Sequence, residues 1–228
     1  MPLRAVALDF DGTIADTEPL HYEAYRLVLG GRGITLTETF YYERYLAGTD
    51  RECVERMIAD FHRPDLAPEA AAILAEKLAL FDQLLERTPR LFAGVAEFLG
   101  RAAAFGPLAI VTGSVAKPVH RFLDATGLAP RFSIFVTAED VAAGKPDPAG
   151  YTLAWRRLRE AGLDGLDAGH CLAVEDAPSG IIAARAAGMR TLALAHSRPA
   201  AELHDADSVA SGYGAVDWRK LAKLFAAS

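Results

Sequence analysis

Two aspartates near the N-terminus have a spacing that could bind a cation. Asp9 and Asp11 follow the apolar run at residues 4–8, and Gly12 and Thr13 come directly after them. The run predicts a short buried strand, and residues two apart in extended backbone point to the same side. Two carboxylates about 4 Å apart repel each other by roughly 4 kcal/mol at an effective dielectric of 20. The pair therefore needs a cation, a shared proton or good solvation, and a solvated turn that closes the strand is the plainer alternative.

A second group of polar residues follows the apolar run at 108–111. Thr112, Gly113 and Ser114 supply two hydroxyls and a backbone that can approach a ligand closely. At a strand-to-helix turn such groups can donate hydrogen bonds to phosphoryl oxygens. The alternative is that Ser114 only caps the helix predicted from Val115.

A lysine and a second carboxylate pair occur further along the chain. Lys145 precedes Pro146, which restricts the backbone, and a lysine is a compact cation suited to a phosphate. Glu175 and Asp176 follow the apolar run at 171–174 and could bind a hard cation. A rigid surface turn at the lysine and acidic capping of the next helix are the respective alternatives.

The elements that position these residues alternate along the chain. Short apolar runs predict strands at residues 4–8, 108–111, 133–136, 171–174 and 191–194, and helical patterns cover 115–126, 148–161 and 180–187. This alternation predicts an α/β fold with a Rossmann-like parallel sheet and right-handed crossovers. Ligands bind beyond the carboxyl ends of such strands. All the polar groups should therefore meet at one edge, where carboxylates, hydroxyls and a lysine are what phosphoryl transfer requires.

One stretch interrupts the alternation. Residues 17–88 show no strand pattern, and amphipathic helical patterns cover 19–31, 39–46, 51–61 and 68–86. We therefore expect an α/β core made of residues 1–16 and 89–228, with a helical domain at 17–88 inserted after the first strand.

The motifs together resemble the haloacid dehalogenase superfamily. The resemblance is carried, in order, by Asp9-Phe10-Asp11-Gly12-Thr13, Thr112, Lys145-Pro146 and Glu175-Asp176. Residues 16–21 and 180–189 resemble the branch that contains phosphoglycolate phosphatase and β-phosphoglucomutase, which has a small helical cap. The resemblance implies a Mg²⁺-dependent phosphatase with the α/β core and inserted cap expected above.

The resemblance also implies a role for each core residue. Asp9 would attack phosphorus and become an aspartyl phosphate, and Asp11 would protonate the leaving oxygen and then activate water. Thr112 and Lys145 would hold the phosphoryl group, with Ser114 and the adjacent Gly113 as weaker candidates. Mg²⁺ would be bound by Asp9, Asp176 and the backbone carbonyl of Asp11, and Glu175 would support it directly or through water. Dehalogenases of the family lack the second aspartate, so Asp11 argues against dehalogenation.

Three residues of the inserted helices resemble the substrate contacts of that branch. Arg51 lies in a segment, residues 46–51, that resembles its substrate loop and would contact a sugar phosphate. His21 and Lys77 match polar positions of the branch. The alternatives are that His21 is a surface residue on its helix and that Lys77 is a solvated helix residue beside Glu76.

The leading interpretation is a phosphatase of small monoesters such as a sugar phosphate or a phosphoglycolate-like acid. A phosphomutase is the alternative, although Thr13 stands where β-phosphoglucomutases carry valine. A non-enzymatic phospho-acceptor switch also uses carboxylates, a hydroxyl and a lysine, but it has no use for an inserted helical domain.

Composition restricts the partners. The formal net charge of −6 argues against nucleic acid and anionic membranes, and no apolar run approaches the roughly 18 residues of a membrane span. Cys53 and Cys171 do not form a disulfide framework, which predicts a reducing cytoplasm. The expected partner is a small phosphorylated metabolite, and a monomer or weak oligomer is expected.

Overall fold

The computed structural model describes residues 2–46 and 49–226. The chain divides into two compact units, which we call the core unit, Met1–Asp16 with Arg90–Ser228, and the helical unit, Thr17–Pro89.

The core unit is built on a parallel sheet of six strands in the order β3-β2-β1-β4-β5-β6. The strands are β1 (Ala5–Leu8), β2 (Leu108–Val111), β3 (Phe132–Val136), β4 (Cys171–Glu175), β5 (Arg190–Leu194) and β6 (Ser208–Ala210). β1, β2 and β4 are buried throughout, as continuous apolar runs in a parallel sheet require. The predicted α/β parallel-sheet fold is confirmed, and β6 was not anticipated.

The α-helices of the described residues are α1 (Glu18–Gly30), α2 (Glu38–Arg44), α3 (Asp50–Asp60), α4 (Ala70–Arg87), α5 (Val95–Ala102), α6 (Ala116–Ala125), α7 (Ala149–Glu160), α8 (Pro178–Ala186) and α9 (Trp218–Leu224). None of the helices described is long and apolar enough to cross a bilayer.

The main core of the sheet lies under α7. Tyr151, Ala154 and Leu158 recur at helical spacing on its buried face and pack with Val111 of β2 and Val136 of β3. This packing fixes α7, and hence the chain just before it, against the carboxyl ends of the central strands.

The helical unit has a core of its own. Tyr25 of α1, Tyr41 of α2, Met57 of α3 and Ile73 of α4 are all buried in one cluster. α3 begins with a capping box, in which Thr49 accepts from the Glu52 backbone N–H while the Glu52 carboxylate accepts from Thr49. This cap fixes the start of the helix that carries Asp50 and Arg51.

Candidate active site

Three carboxylates meet where β1 and β4 end. Asp9 directly follows β1, and its backbone N–H donates to Val174 O of β4 at 2.9 Å. Glu175 closes β4 and Asp176 follows it. One oxygen from each of Asp9, Glu175 and Asp176 lies within 4.8 Å of the others, and all three residues are buried. Like charges this close require positive charge or protons between them.

Lys145 supplies part of that positive charge. Its ammonium donates to Asp9 Oδ1 and to Val111 O, the latter at 2.9 Å, and lies 2.6 Å from Glu175 Oε1. Burial alone would lower the pKa of Lys145, but the carboxylates of Asp9 and Glu175 raise it above its ordinary value. Lys145 therefore stays charged and neutralises one of the carboxylates around it.

One lysine does not balance the cluster. Burial raises the pKa of Glu175 to about 7, against the lowering effect of Lys145, with Asp9 adding to the rise. Burial, followed by the charge of Asp9, likewise raises the pKa of Asp176 to about 7. The cluster is thus short of positive charge, and its ligand atoms are oxygens, the donors that Mg²⁺ prefers. These residues fit a hard divalent cation.

Two glycines leave room for the carboxylates. A Cβ on Gly12, which has a φ of +78°, would lie 2.3 Å from Asp176 Oδ2. A Cβ on Gly180 of α8 would lie 2.0 Å from Glu175 Oε1. Each carboxylate therefore occupies space that only a glycine leaves open.

The hydroxyls at the end of β2 lie beside Asp11. Ser114 Oγ donates to Asp11 Oδ2 at 2.5 Å, and Thr112 Oγ1 lies 3.5 Å from the same oxygen. The Ser114 N–H in turn donates to Thr112 Oγ1 at 2.9 Å, and this hydrogen bond spans and stabilises the turn at Gly113. The interpretation of Ser114 as a plain helix cap is wrong, because Val115 is the N-cap residue of α6 and the Ser114 hydroxyl is bonded to Asp11.

Tyr151 is a member of the site that sequence reasoning missed. Its hydroxyl donates to Glu175 Oε1 at 2.5 Å, and its side chain is completely buried in α7. A buried tyrosine normally needs a partner for its hydroxyl. That rule signals a polar neighbour for Tyr151 but does not identify it from the sequence.

Residues 195–198, after β5, form a further loop of the site that was missed. Ser197 Oγ donates to Asp176 Oδ2 at 2.5 Å. His196 Nε2 lies 2.7 Å from Gly12 O, and its ring stacks on Phe92 with centroids 3.7 Å apart. The available signal was position alone, since the loop follows the carboxyl end of a parallel strand.

The helical unit contains a separate polar cluster. Lys77 is completely buried, and its ammonium contacts Asp50 Oδ1 and lies 2.7 Å from His21 Nδ1. The interpretation of Lys77 as a solvated residue is therefore wrong. Burial, and then the charge of Lys77, lowers the pKa of His21 to about 3, so the neutral ring accepts from the ammonium. Tyr25 also donates to Asp50 Oδ1, at 2.7 Å, and Asp50 was not singled out from the sequence.

Arg51 follows Asp50 in the first turn of α3 and is exposed. The predicted substrate residues of the helical unit therefore differ in setting, because His21 and Lys77 are bonded to each other whereas Arg51 faces solvent.

Known proteins provide an independent comparison. The family model for a haloacid dehalogenase-like hydrolase matches residues 3–188. The fructose-1-phosphate phosphatase YqaB of Escherichia coli (strain K12) is 35% identical, over 79% of this chain and 90% of its own length. A phosphoglycolate phosphatase of Yersinia pseudotuberculosis serotype I (strain IP32953) is 29% identical, over 85% and 82% of the two chains.

A solved structure agrees with these relatives. The crystal structure of a putative β-phosphoglucomutase from Thermotoga maritima has a TM-score of 0.76 and 26% identity, and the match covers 90% of this chain and 93% of that one. These similarities confirm the predicted superfamily and branch, and also the prediction of an enzyme of the phosphatase class. The chain belongs to the haloacid dehalogenase-like hydrolase family.

Proposed function

We propose that this protein is a Mg²⁺-dependent phosphatase of small phosphate monoesters that acts through an aspartyl phosphate on Asp9. The observation that carries the proposal is the convergence of three buried carboxylates with the Lys145 ammonium at one edge of the sheet. The Asp11, Thr112 and Ser114 group supplies a fourth carboxylate and two hydroxyls.

Asp9 and Asp11 divide the chemistry between them. Asp9 attacks phosphorus, and the Lys145 ammonium beside its carboxylate offsets negative charge as a phosphoryl group approaches. Asp11 donates a proton to the leaving oxygen and then accepts one from the water that hydrolyses the aspartyl phosphate. The hydrogen bond from Ser114 holds the Asp11 carboxylate in one orientation.

Asp9, Asp176 and the Asp11 carbonyl would hold Mg²⁺, with Glu175 directly or through water. When bound, the ion supplies charge neutralisation at the phosphoryl oxygens and orients the group for attack. Thr112 and Lys145 would hold the remaining phosphoryl oxygens, with Ser114 and the Gly113 backbone beside them.

The substrate proposed is a sugar phosphate or a phosphoglycolate-like acid. Support comes from the named activities of relatives, a fructose-1-phosphate phosphatase and a phosphoglycolate phosphatase. We also propose that Arg51, which is exposed, recognises the part of the substrate distant from phosphorus, because its guanidinium offers two parallel donors. His21 and Lys77 stay predictions as substrate contacts, as do the cytoplasmic location and the monomeric or weakly oligomeric state.

A phosphomutase is the alternative, because a neighbour in structure is described as a putative β-phosphoglucomutase. Incubation with Mg²⁺ and a panel containing fructose 1-phosphate, phosphoglycolate and β-glucose 1-phosphate separates the two. We expect release of inorganic phosphate from at least one compound, with chelation stopping it and Mg²⁺ restoring it. Isomerised sugar phosphate without net release would support the mutase, and full activity in excess chelator would contradict the metal site.

A further inference from the structure

Asp176 is held on one side by a residue that no motif marks. Its Oδ2 accepts from Ser197 Oγ at 2.5 Å and faces the Gly12 backbone, where a Cβ would lie 2.3 Å away. The same hypothetical Cβ would lie 3.1 Å from Oδ1. Within the protein, Asp176 therefore already accepts a hydrogen bond on Oδ2, while its Oδ1 retains the capacity to accept from or bind a ligand.

Ser197 is itself presented by an anchored loop. The Ala195 N–H donates to Ala210 O of β6 at 2.8 Å, which ties the start of the loop to the sheet. The His196 ring is stacked on Phe92 at an interplanar angle of 7°. Its Nε2 lies 2.7 Å from Gly12 O and must carry the proton, because a carbonyl only accepts.

The loop at residues 195–198 thus contacts both the Gly12 backbone and the Asp176 carboxylate. His196 holds the Gly12 backbone, Ser197 holds Asp176, and the two partners touch each other. A side chain fixed by packing and by an outer hydrogen bond keeps a ligand in one orientation without cost at the moment of binding.

We propose that Ser197 is a positioning residue that orients Asp176 and thereby sets the affinity of the site for a divalent cation. The inference rests on the proposed Mg²⁺ site. Without the hydroxyl, the Asp176 carboxylate can rotate, and part of the binding free energy is lost in ordering it. Removal of such outer partners typically weakens metal binding by about 10–100-fold.

The test is calorimetric titration of Mg²⁺ into the whole protein, with no substrate present. We expect Ser197→Ala to weaken binding by about tenfold or more, and Ser197→Thr, which keeps a hydroxyl, to recover most of the loss. Ser208→Ala is the matched control, because it removes a buried serine hydroxyl from β6, and it should leave the affinity unchanged. Phosphate release by Ser197→Ala should return towards the wild-type kcat as Mg²⁺ is raised.

Two results would overturn the proposal. One is a Ser197→Ala protein that binds Mg²⁺ within about twofold of wild type. The other is an unchanged Mg²⁺ affinity of Ser197→Cys, which is measured instead if Ser197→Ala loses its cooperative unfolding transition. Cysteine keeps the side-chain volume of serine but is a weak hydrogen-bond donor. A wild-type protein that fails to bind Mg²⁺ would instead contradict the proposed function.

Discussion

Replacement of Gly180 by alanine tests whether the buried Glu175 carboxylate depends on the space that glycine leaves. A Cβ at this position of α8 would lie 2.0 Å from Glu175 Cδ and Oε1 and 2.1 Å from Oε2. Carbon atoms in favourable contact are about 3.5–4.0 Å apart. The carboxylate would therefore have to move by more than about 1 Å, which would disturb its contacts with the Tyr151 hydroxyl and the Lys145 ammonium.

The change in the free energy of unfolding caused by Gly180→Ala is the sum of opposing contributions. Alanine is favoured over glycine in a helix by about 1 kcal/mol. Overpacking of a well-packed region costs about 1–3 kcal/mol. Loss of the Tyr151 hydrogen bond to a buried acceptor costs about 1–3 kcal/mol more. The free energy of unfolding should therefore fall by about 1–5 kcal/mol, and Tm by about 3 °C for each kcal/mol.

Gly100→Ala is the matched control for this prediction. Gly100 lies within α5 of the same unit, and the nearest atom to a Cβ there is Arg131 Nη1 at 4.0 Å. Only the preference of the helix for alanine over glycine should then affect stability, because the added methyl group meets no close neighbour. This variant should therefore be more stable than wild type by up to about 1 kcal/mol. Urea unfolding of both variants measures the difference. A Gly180→Ala protein stabilised like Gly100→Ala would show that the Glu175 carboxylate does not depend on the space at Gly180.

Three further predictions concern the helical unit and the cysteines. If Arg51 has its proposed role, Arg51→Ala should reduce both kcat and affinity on the true substrate and leave a compact artificial ester nearly unaffected, because the lost binding energy would come from a part of the substrate that the ester lacks; equal losses on both would mean a structural role. Burial, then the charge of Lys77, lowers the pKa of His21 from 6.5 to about 3, so the unfolded chain binds one more proton between these values. Stability should then fall as pH falls below about 6.5, by up to about 1.4 kcal/mol per pH unit, and His21→Gln should flatten this slope in acid unfolding; an unchanged slope would contradict the assignment. Cys53 and Cys171 are buried and their thiol pKa values are raised, that of Cys171 to about 12, so neither should react with a thiol reagent until the protein is unfolded; rapid labelling of the native protein would be inconsistent with this.

The central part of the fold follows from local patterns. β1, β2 and β4 are buried on both faces, and this burial produces the continuous apolar runs that predict them. β6 has three residues, Ser208-Val209-Ala210, at the edge of the sheet, which is too short for a periodic signal. Its assignment depends on pairing with β5, which the sequence does not state.

Some residues of the candidate site could likewise be predicted from the sequence, and others could not. Asp9, Ser114 and Glu175 lie at or just after strand ends, and in a parallel sheet the order of elements brings those ends together. Ser197 reaches Asp176 only through the path of an irregular loop, and Tyr151 lies on a helix pattern that indicates a core residue. Sequence position specifies which strand end a residue follows, but not which side chain a loop residue contacts.

The helical unit illustrates a further limit. Lys77 has the sequence neighbourhood of a solvated residue, yet tertiary packing buries it completely against Asp50 and His21. Burial of an ammonium is tolerated because both partners accept from it, and the pairing joins α1, α3 and α4. A pairing between residues this far apart in the chain produces no periodic pattern in the local sequence from which it could be predicted.

Covalent attack by Asp9 is the central step of the proposed mechanism. Wild-type protein and Asp9→Asn protein are mixed with Mg²⁺ and the best substrate from the panel, quenched in acid during turnover and digested for mass spectrometry. We predict a phosphoryl group on Asp9 of the wild-type protein, and neither this group nor phosphate release from a folded Asp9→Asn protein, since an amide is a poor nucleophile. Sustained phosphate release by Asp9→Asn would contradict the role of Asp9 as the nucleophile.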